Sequence, residues 1–380
     1  MQDQGVLSVY LKKLKLINFR NYHQLDLKLH PKMNVFIGDN AQGKTNILEA
    51  IYMTGTGKSF RTSKEREIIK MDKDKAYIHV EGEKKYTGIS VEIKLEENKK
   101  KQMKVNGITL TKTADLLSNV HVIVFSPEDL KLVKEGPMER RKFMDIEISN
   151  MKPRYYHHLS QYNRVLIQRN NLLKKISHDR KYMATLDIWD EKLVELGTSI
   201  IKERIKFILR LNTLSRLLHR KITDNKENLE IKYISSIKEV QDEAKIQDYF
   251  HRDLKKALIV DIQRGTTTVG PHRDDLGVFV NGIDIRIFGS QGQQRTSALA
   301  LKLAEIELMK AETGEYPILL LDDVMSELDV KRQAFLVKSL RDIQTFITTT
   351  DLNALSTLNL EAKNIYYVEK AVVRQSDDIN

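Results

Sequence analysis

Between residues 33 and 51 the chain reads as an apolar run, a glycine-bounded loop and a helix, in that order. Met33-Asn34-Val35-Phe36-Ile37 leads into Gly38-Asp39-Asn40-Ala41-Gln42-Gly43-Lys44-Thr45, and Thr45-Asn46-Ile47-Leu48-Glu49-Ala50-Ile51 continues as an amphipathic helix. The loop fits G-x-x-x-x-G-K-[ST], the spacing of a phosphate-binding P-loop. Its glycines let backbone N–H groups and a helix N-terminus converge on an anion. Lys44 is placed to reach β- and γ-phosphates, and the Thr45 hydroxyl to ligate Mg²⁺. ATP and Mg²⁺ are therefore the expected cofactors, with residues 38–45 binding the nucleotide.

A second motif belongs to the same chemistry. Ile318-Leu319-Leu320-Leu321 is a buried strand that ends in Asp322-Asp323. Ligand sites of parallel sheets lie at the carboxyl ends of the strands. Asp322 is expected to hold the metal, directly or through water, and Asp323 to orient an attacking water near the γ-phosphate. With Lys44 these form the expected catalytic set, and Ser326-Glu327-Leu328-Asp329 follows where a loop can meet a partner.

The 380 residues suggest two to three domains. Cysteine is absent, which excludes disulfide scaffolds, cysteine-bound zinc and thiol catalysis. No apolar run approaches the roughly 18 residues that a membrane helix needs, and the first residues lack the pattern of a secretory signal, so a cytoplasmic protein without membrane partners is expected. The formal net charge is +11. From Lys131 to Lys221 there are 21 basic and 10 acidic residues, so this one segment carries the whole excess. Tyr155, Tyr156, Tyr162, Tyr182 and Trp189 are interleaved with it, a composition suited to a phosphate backbone.

Periodicity divides the chain into three. Strand patterns run from Leu11 to Leu110, with alternation at Leu25, Leu27, Leu29 and at Ile89, Val91, Ile93, Leu95, and Asn106-Gly107 and Asn281-Gly282 are hairpin signals. From Pro127 to about Lys256 the period is helical; Leu159, Tyr162, Leu166, Leu173 and Ile176 share one face. Leu193, Leu196, Ile200, Phe207, Leu211, Leu214 and Leu218 share another, on a long helix. After Ile259 the strands return. The expected fold class is α/β, a mixed sheet with flanking helices interrupted by a helical second lobe.

Gly289-Ser290-Gln291-Gly292-Gln293-Gln294-Arg295 opens the next helix. Ser290, Gly292 and Gln293 match the Leu-Ser-Gly-Gly-Gln signature of ABC-type ATPases, and the order of P-loop, insertion, signature and Asp-Asp strand is that of the SMC-like members. Within them the chain resembles the RecF family over nearly its full length. The resemblance is carried by Leu16–Tyr22, Gly57–Arg61, Phe125–Leu130, Gly136-Pro137 with Arg140-Arg141, and Gly270–Leu276. Residues 1–8 precede the usual family start.

The resemblance implies an ATPase lobe I from residues 1–126 and 257–380, and a basic helical lobe II from 127–256. It implies an ATP-dependent homodimer in which Ser290, Gly292 and Gln293 contact the γ-phosphate held by the partner's P-loop. It also implies a clamp on single-stranded, gapped or junction DNA, slow DNA-stimulated hydrolysis, and RecO and RecR as partners in recombinational repair and replication restart. Arg140, Arg141, Lys142, Arg164 and Arg169 are the candidates for contact with the DNA backbone.

Besides Phe288-Gly289 and Gln291 in the signature, other features depart from the ABC pattern. Asp323 replaces the usual glutamate, Thr348-Thr349-Thr350-Asp351 stands where a switch histidine is usual, and no Q-loop glutamine is identifiable. Arg20 and Arg61 are further candidates for the nucleotide. His272 beside Asp274 and Asp275 fits a loop contact better than a metal site. A helicase or nuclease would need motor or carboxylate motifs that are not found. A small-molecule kinase or transporter subunit would leave the signature or the basic insertion without purpose.

Overall fold

In the computed structural model the alternating segments become strands: β1 (Val9–Phe19), β2 (Tyr22–Lys28), β3 (Met33–Ile37), β4 (Lys75–Lys84), β5 (Gly88–Glu96), β6 (Gln102–Val105), β7 (Ile108–Leu110) and β8 (Val122–Phe125). There follow β9 (Leu229–Ile234), β10 (Asp275–Val280), β11 (Ile283–Asp284), β12 (Ile318–Asp322), β13 (Thr345–Thr349), β14 (Lys363–Glu369) and β15 (Val372–Gln375). The structure describes residues 9–85, 87–117, 119–240, 242–340, 342–350 and 363–376. Asp351 and the extension at residues 1–8 lie outside them.

The chain divides into two units, Met1–Asp129 with Lys302–Asn380, and Leu130–Leu301. In the first, an antiparallel sheet has the order β2-β1-β4-β5-β6-β7, and a second sheet has the order β15-β14-β3-β13-β12-β8. The second is parallel from β14 to β8, and only the β14–β15 hairpin is antiparallel. Helix Lys44–Thr56 shares one apolar core with both sheets: Ile47, Leu48 and Ile51 lie with Leu14, Val80 and Ile93 from one sheet and Phe36, Leu320 and Phe346 from the other. It is accordingly buried almost all round, beyond the single apolar face that its sequence suggests.

The second unit contains helices Pro137–Met151, Pro153–Ile176, Leu186–Ile222 and Ile246–Arg264, and a sheet of order β11-β10-β9. Leu193, Leu196, Ile200, Phe207 and Leu211 are buried along the 37-residue helix Leu186–Ile222. The expected return to lobe I at residue 257 is corrected to 302. Helix Ile246–Arg264 continues past that point to a left-handed cap at Gly265, and β9 pairs antiparallel with β10, so β10 and β11 belong with the helices. The signature therefore lies in the second unit, and the division falls inside helix Gln291–Thr313.

Two expected DNA contacts are also corrected. Arg169 is fully buried; its Nε donates to Asp190 Oδ1 at 2.7 Å, and its Nη1 to Asp261 Oδ2 at 2.7 Å and Thr267 Oγ1 at 2.8 Å. Arg140 is buried with Nε and Nη2 on the two oxygens of Asp275, at 2.7 and 2.8 Å. Arg169 knits three helices together, and Arg140 ties helix Pro137–Met151 to β10. Arg141 is half-buried with Nη1 on the Asp274 carbonyl at 2.8 Å, whereas Lys142 and Arg164 are exposed. Removing one partner of a buried ion pair strands the other charge, so Arg169→Met is expected to cost about 3–5 kcal/mol in thermal unfolding. Folded protein should keep its DNA affinity; weakened DNA binding at undiminished stability would restore Arg169 to the interface.

His272 is held in the same way. Its Nδ1 meets the Tyr162 hydroxyl at 2.7 Å and its Nε2 the Thr267 carbonyl at 3.0 Å. Burial pushes its pKa down to about 4, so the ring is neutral. No helix among the described residues is long and apolar enough to cross a membrane.

Candidate nucleotide site

The loop after β3 is shaped by what surrounds it. A Cβ on Gly38 would lie 2.2 Å from the Val368 carbonyl of β14, so only glycine lets the two strands approach here. Gly43, at φ +117°, caps helix Lys44–Thr56, and a Cβ there would sit 2.8 Å from Asn21 Nδ2 and 2.9 Å from the Tyr22 hydroxyl. Asn21 Nδ2 donates to the Gln42 carbonyl at 3.2 Å and the Tyr22 hydroxyl to the Gly43 carbonyl at 3.2 Å. From the other side, the Lys370 amide donates to Gln42 Oε1 at 2.6 Å and the Ala371 amide to the Gln42 carbonyl at 3.1 Å. The turn between β1 and β2 and the turn between β14 and β15 thus prop the loop open. The Asn18–Tyr22 segment has a physical task that its sequence alone does not disclose.

Lys44 is buried and folds back over the loop, its Nζ donating to the Gly38 carbonyl at 2.5 Å and the Asp39 carbonyl at 2.8 Å. Burial lowers its pKa, and the carboxylates of Asp323, Asp322 and Asp39 oppose that shift. Parallel pairing sets Asp322 beside Thr348 and Leu321 beside Phe125, which aligns the carboxyl ends of β3, β13, β12 and β8. Thr45 Oγ1 and Thr348 Oγ1 both donate to Asp322 Oδ1, each at 2.8 Å. The Asp323 amide in turn donates to Thr348 Oγ1 at 3.0 Å. Thr348 Oγ1 thus joins the Asp322 carboxylate to the Asp323 backbone amide.

Asp323 takes φ +54°, a conformation that costs a non-glycine residue on the order of 1 kcal/mol. Among the described residues its buried Oδ1 has no hydrogen-bond partner, and burial raises its pKa, with Lys44 opposing the rise and Asp322 adding to it. A strained residue with an unsatisfied carboxylate oxygen beside a lysine suits a base awaiting its substrate. The residues fit a magnesium nucleotide: Thr45 and Asp322 offer two hard oxygens to Mg²⁺, and Lys44 offers a cation whose hydrogen bonds go to loop carbonyls.

Glu49 is the residue that sequence reasoning missed. It is fully buried, and Arg20 grips it from two sides, Nε to Oε2 at 2.8 Å and Nη2 to Oε1 at 2.5 Å. Ser59 Oγ also donates to Oε1 at 2.5 Å, and Arg61 Nη1 lies 3.6 Å from Oε2. Arg20 is thus a strut of the P-loop helix, while Arg61 is half-exposed and bonds Asn46 Oδ1 at 2.7 Å. A carboxylate inside Ile47-Leu48-Glu49-Ala50-Ile51 was the available signal.

In the other unit, Ser290 and Gln293 close a capping box. The Gln293 amide donates to Ser290 Oγ at 3.2 Å and the Ser290 amide to Gln293 Oε1 at 3.0 Å. Ser290 is exposed at the start of helix Gln291–Thr313.

Residues 10–374 match the family model described as the RecF/RecN/SMC N terminal domain. The chain is 52% identical over 365 residues to the DNA replication and repair protein RecF of Alkaliphilus oremlandii, covering 96% of this chain and 99% of that one. This chain belongs to the RecF family. The RecF of Clostridium novyi is 49% identical over 344 residues, covering 90% and 94% of the two chains. A solved structure of the recombination mediator protein RecF-ATP in the RecFOR pathway superposes with a TM-score of 0.91 at 39% identity, covering 99% and 100%. The Smc head domain of Pyrococcus furiosus, at 15% identity and a TM-score of 0.56, shares the ABC-type ATPase fold.

Proposed function

We propose that the chain is an ATP-gated DNA-binding protein of recombinational repair and replication restart. The observation that carries this reading is the convergence of Lys44, Thr45, Asp322, Asp323 and Thr348 at the ends of adjacent parallel strands. Lys44 and the loop amides bind phosphates, Thr45 and Asp322 hold Mg²⁺, and Asp323 orients water; ATP supplies the γ-phosphate on which a second subunit closes. Ser290, Gly292 and Gln293 of one subunit face the nucleotide of the other, and the closed homodimer clamps single-stranded, gapped or junction DNA. Slow, DNA-stimulated hydrolysis releases it. RecO and RecR are the expected partners, by likeness to the RecF of the RecFOR pathway, and the cytoplasm is the expected location.

Lys142 and Arg164 remain as candidate phosphate contacts, being exposed in the basic unit. Measured by fluorescence anisotropy, DNA affinity should be about tenfold or more higher with ATP than with ADP. Log affinity should fall linearly with log salt concentration, with a slope of roughly 0.9 per phosphate contacted on duplex DNA. Equal affinity with the two nucleotides contradicts the gate.

A further inference from the structure

Gln293 is gripped at both ends of its side-chain amide. Its Oε1 closes the capping box with Ser290, and its Nε2 donates to Glu227 Oε1 at 2.8 Å. Glu227 lies between helix Leu186–Ile222 and β9, outside every motif named above. Its other oxygen is 3.8 Å from Nε2 of His219, a fully buried residue in the last turn of that helix. Ser297, one turn along the signature helix, approaches the same His219 nitrogen at 3.5 Å. The Gln293–Glu227 bond therefore fastens the start of the signature helix to the segment that follows the long helix of the basic unit, with His219 and Ser297 packed alongside it.

A capping box satisfies two backbone donors, but it depends on the rotamer of its glutamine. Here that rotamer is fixed by an acceptor from elsewhere in the chain. With Gln293 held, the Ser290 amide is engaged and Ser290 Oγ already accepts one hydrogen bond, which leaves its hydroxyl proton free for a new acceptor. A site ordered before its ligand arrives does not lose that ordering entropy on association.

We propose that Glu227 is the positioning residue of the signature. Through Gln293 it presets Ser290 for the γ-phosphate carried by a second copy of the chain, and it couples that contact to the basic helices. The inference rests on the nucleotide-sandwich reading above. It concerns assembly and leaves phosphate binding at the P-loop of a single chain untouched.

The test compares Glu227→Ala and Glu227→Gln in the full chain. Sedimentation velocity with ATP and Mg²⁺ reads dimerisation, and equilibrium binding of ATP reads the P-loop. The expected result for Glu227→Ala is a dimer dissociation constant raised about tenfold, with ATP affinity of the single chain unchanged. Glu227→Gln keeps an oxygen acceptor for Gln293 and should restore dimerisation to near the wild-type level. Faster hydrogen exchange at the Ser290 to Gln294 amides in the alanine variant alone should accompany the loss. Wild-type dimerisation by Glu227→Ala, or equal loss in both variants, overturns the role of Glu227. A wild-type chain that stays monomeric with ATP overturns the sandwich reading itself, and this inference with it.

Discussion

Lys44→Met should reduce ATP affinity by on the order of a hundredfold, the loss expected when a charged hydrogen bond of about 3 kcal/mol is removed. Lys44 is buried, and its ammonium is held by the Gly38 and Asp39 carbonyls, with Asp39, Asp322 and Asp323 adding their attraction. Those carbonyls are weaker partners than phosphate oxygens, so the cation is poised to exchange them. Methionine retains the apolar stem and removes only the charge and its donors. Isothermal titration reads the nucleotide directly. In the anisotropy assay the variant with ATP should behave as the wild type does with ADP. Undiminished ATP affinity would remove Lys44 from the site.

Asp323→Asn should produce the opposite phenotype, in which ATP binding persists and hydrolysis falls by about 10²–10⁴, the usual contribution of a positioned base. The Asp323 amide is anchored by Thr348 while its Oδ1 has no partner among the described residues, so asparagine can occupy the same backbone conformation without accepting a proton. ATP-dependent complexes should therefore outlive those of the wild type. The pH dependence has a defined sign. Asp323 acts only when ionised, and burial raises its pKa above the ordinary carboxylate value of roughly 4. Lowering the pH should thus quench wild-type hydrolysis earlier than a solvent-exposed aspartate would allow, and the asparagine variant should lack that acid limb. A phosphate-release assay across the pH range checks both statements; unchanged turnover in Asp323→Asn would assign the base elsewhere.

The parts of the site that the sequence disclosed are local ones. A P-loop is eight consecutive residues, and Asp322-Asp323 follows its strand directly, so the phosphate and metal ligands could be read without knowing what packs beside them. The hairpins at Asn106-Gly107 and Asn281-Gly282 were legible for the same reason: both residues of each turn take positive φ, as Asn-Gly favours. What escaped depends on pairing across long separations. β9 joins β10 over some forty intervening residues, and the register places Thr348 beside Asp322, neither of which any short window encodes. Periodicity could see strands resume, but not which sheet they joined, and so the unit boundary was set too early.

Charge counting failed in a related way. The basic excess between Lys131 and Lys221 is real, yet Arg140, Arg169 and Arg204 within it are buried against aspartates. A count of cations cannot separate a surface that attracts phosphates from ion pairs that hold helices together. Glu49 escaped because a lone carboxylate on an apolar helix reads as its exposed edge until Arg20 is found on it.

The central claim is that ATP joins two copies of this chain through the signature, and sedimentation velocity of wild type and Ser290→Arg tests it most directly. Ser290 is exposed at the helix start, so a bulkier side chain there should block the partner's phosphate without disturbing the core. The account predicts dimers of the wild type with ATP and Mg²⁺, monomers with ADP, and monomers of Ser290→Arg with either nucleotide. A wild type that remains monomeric with ATP, or a Ser290→Arg chain that dimerises as readily, would contradict it.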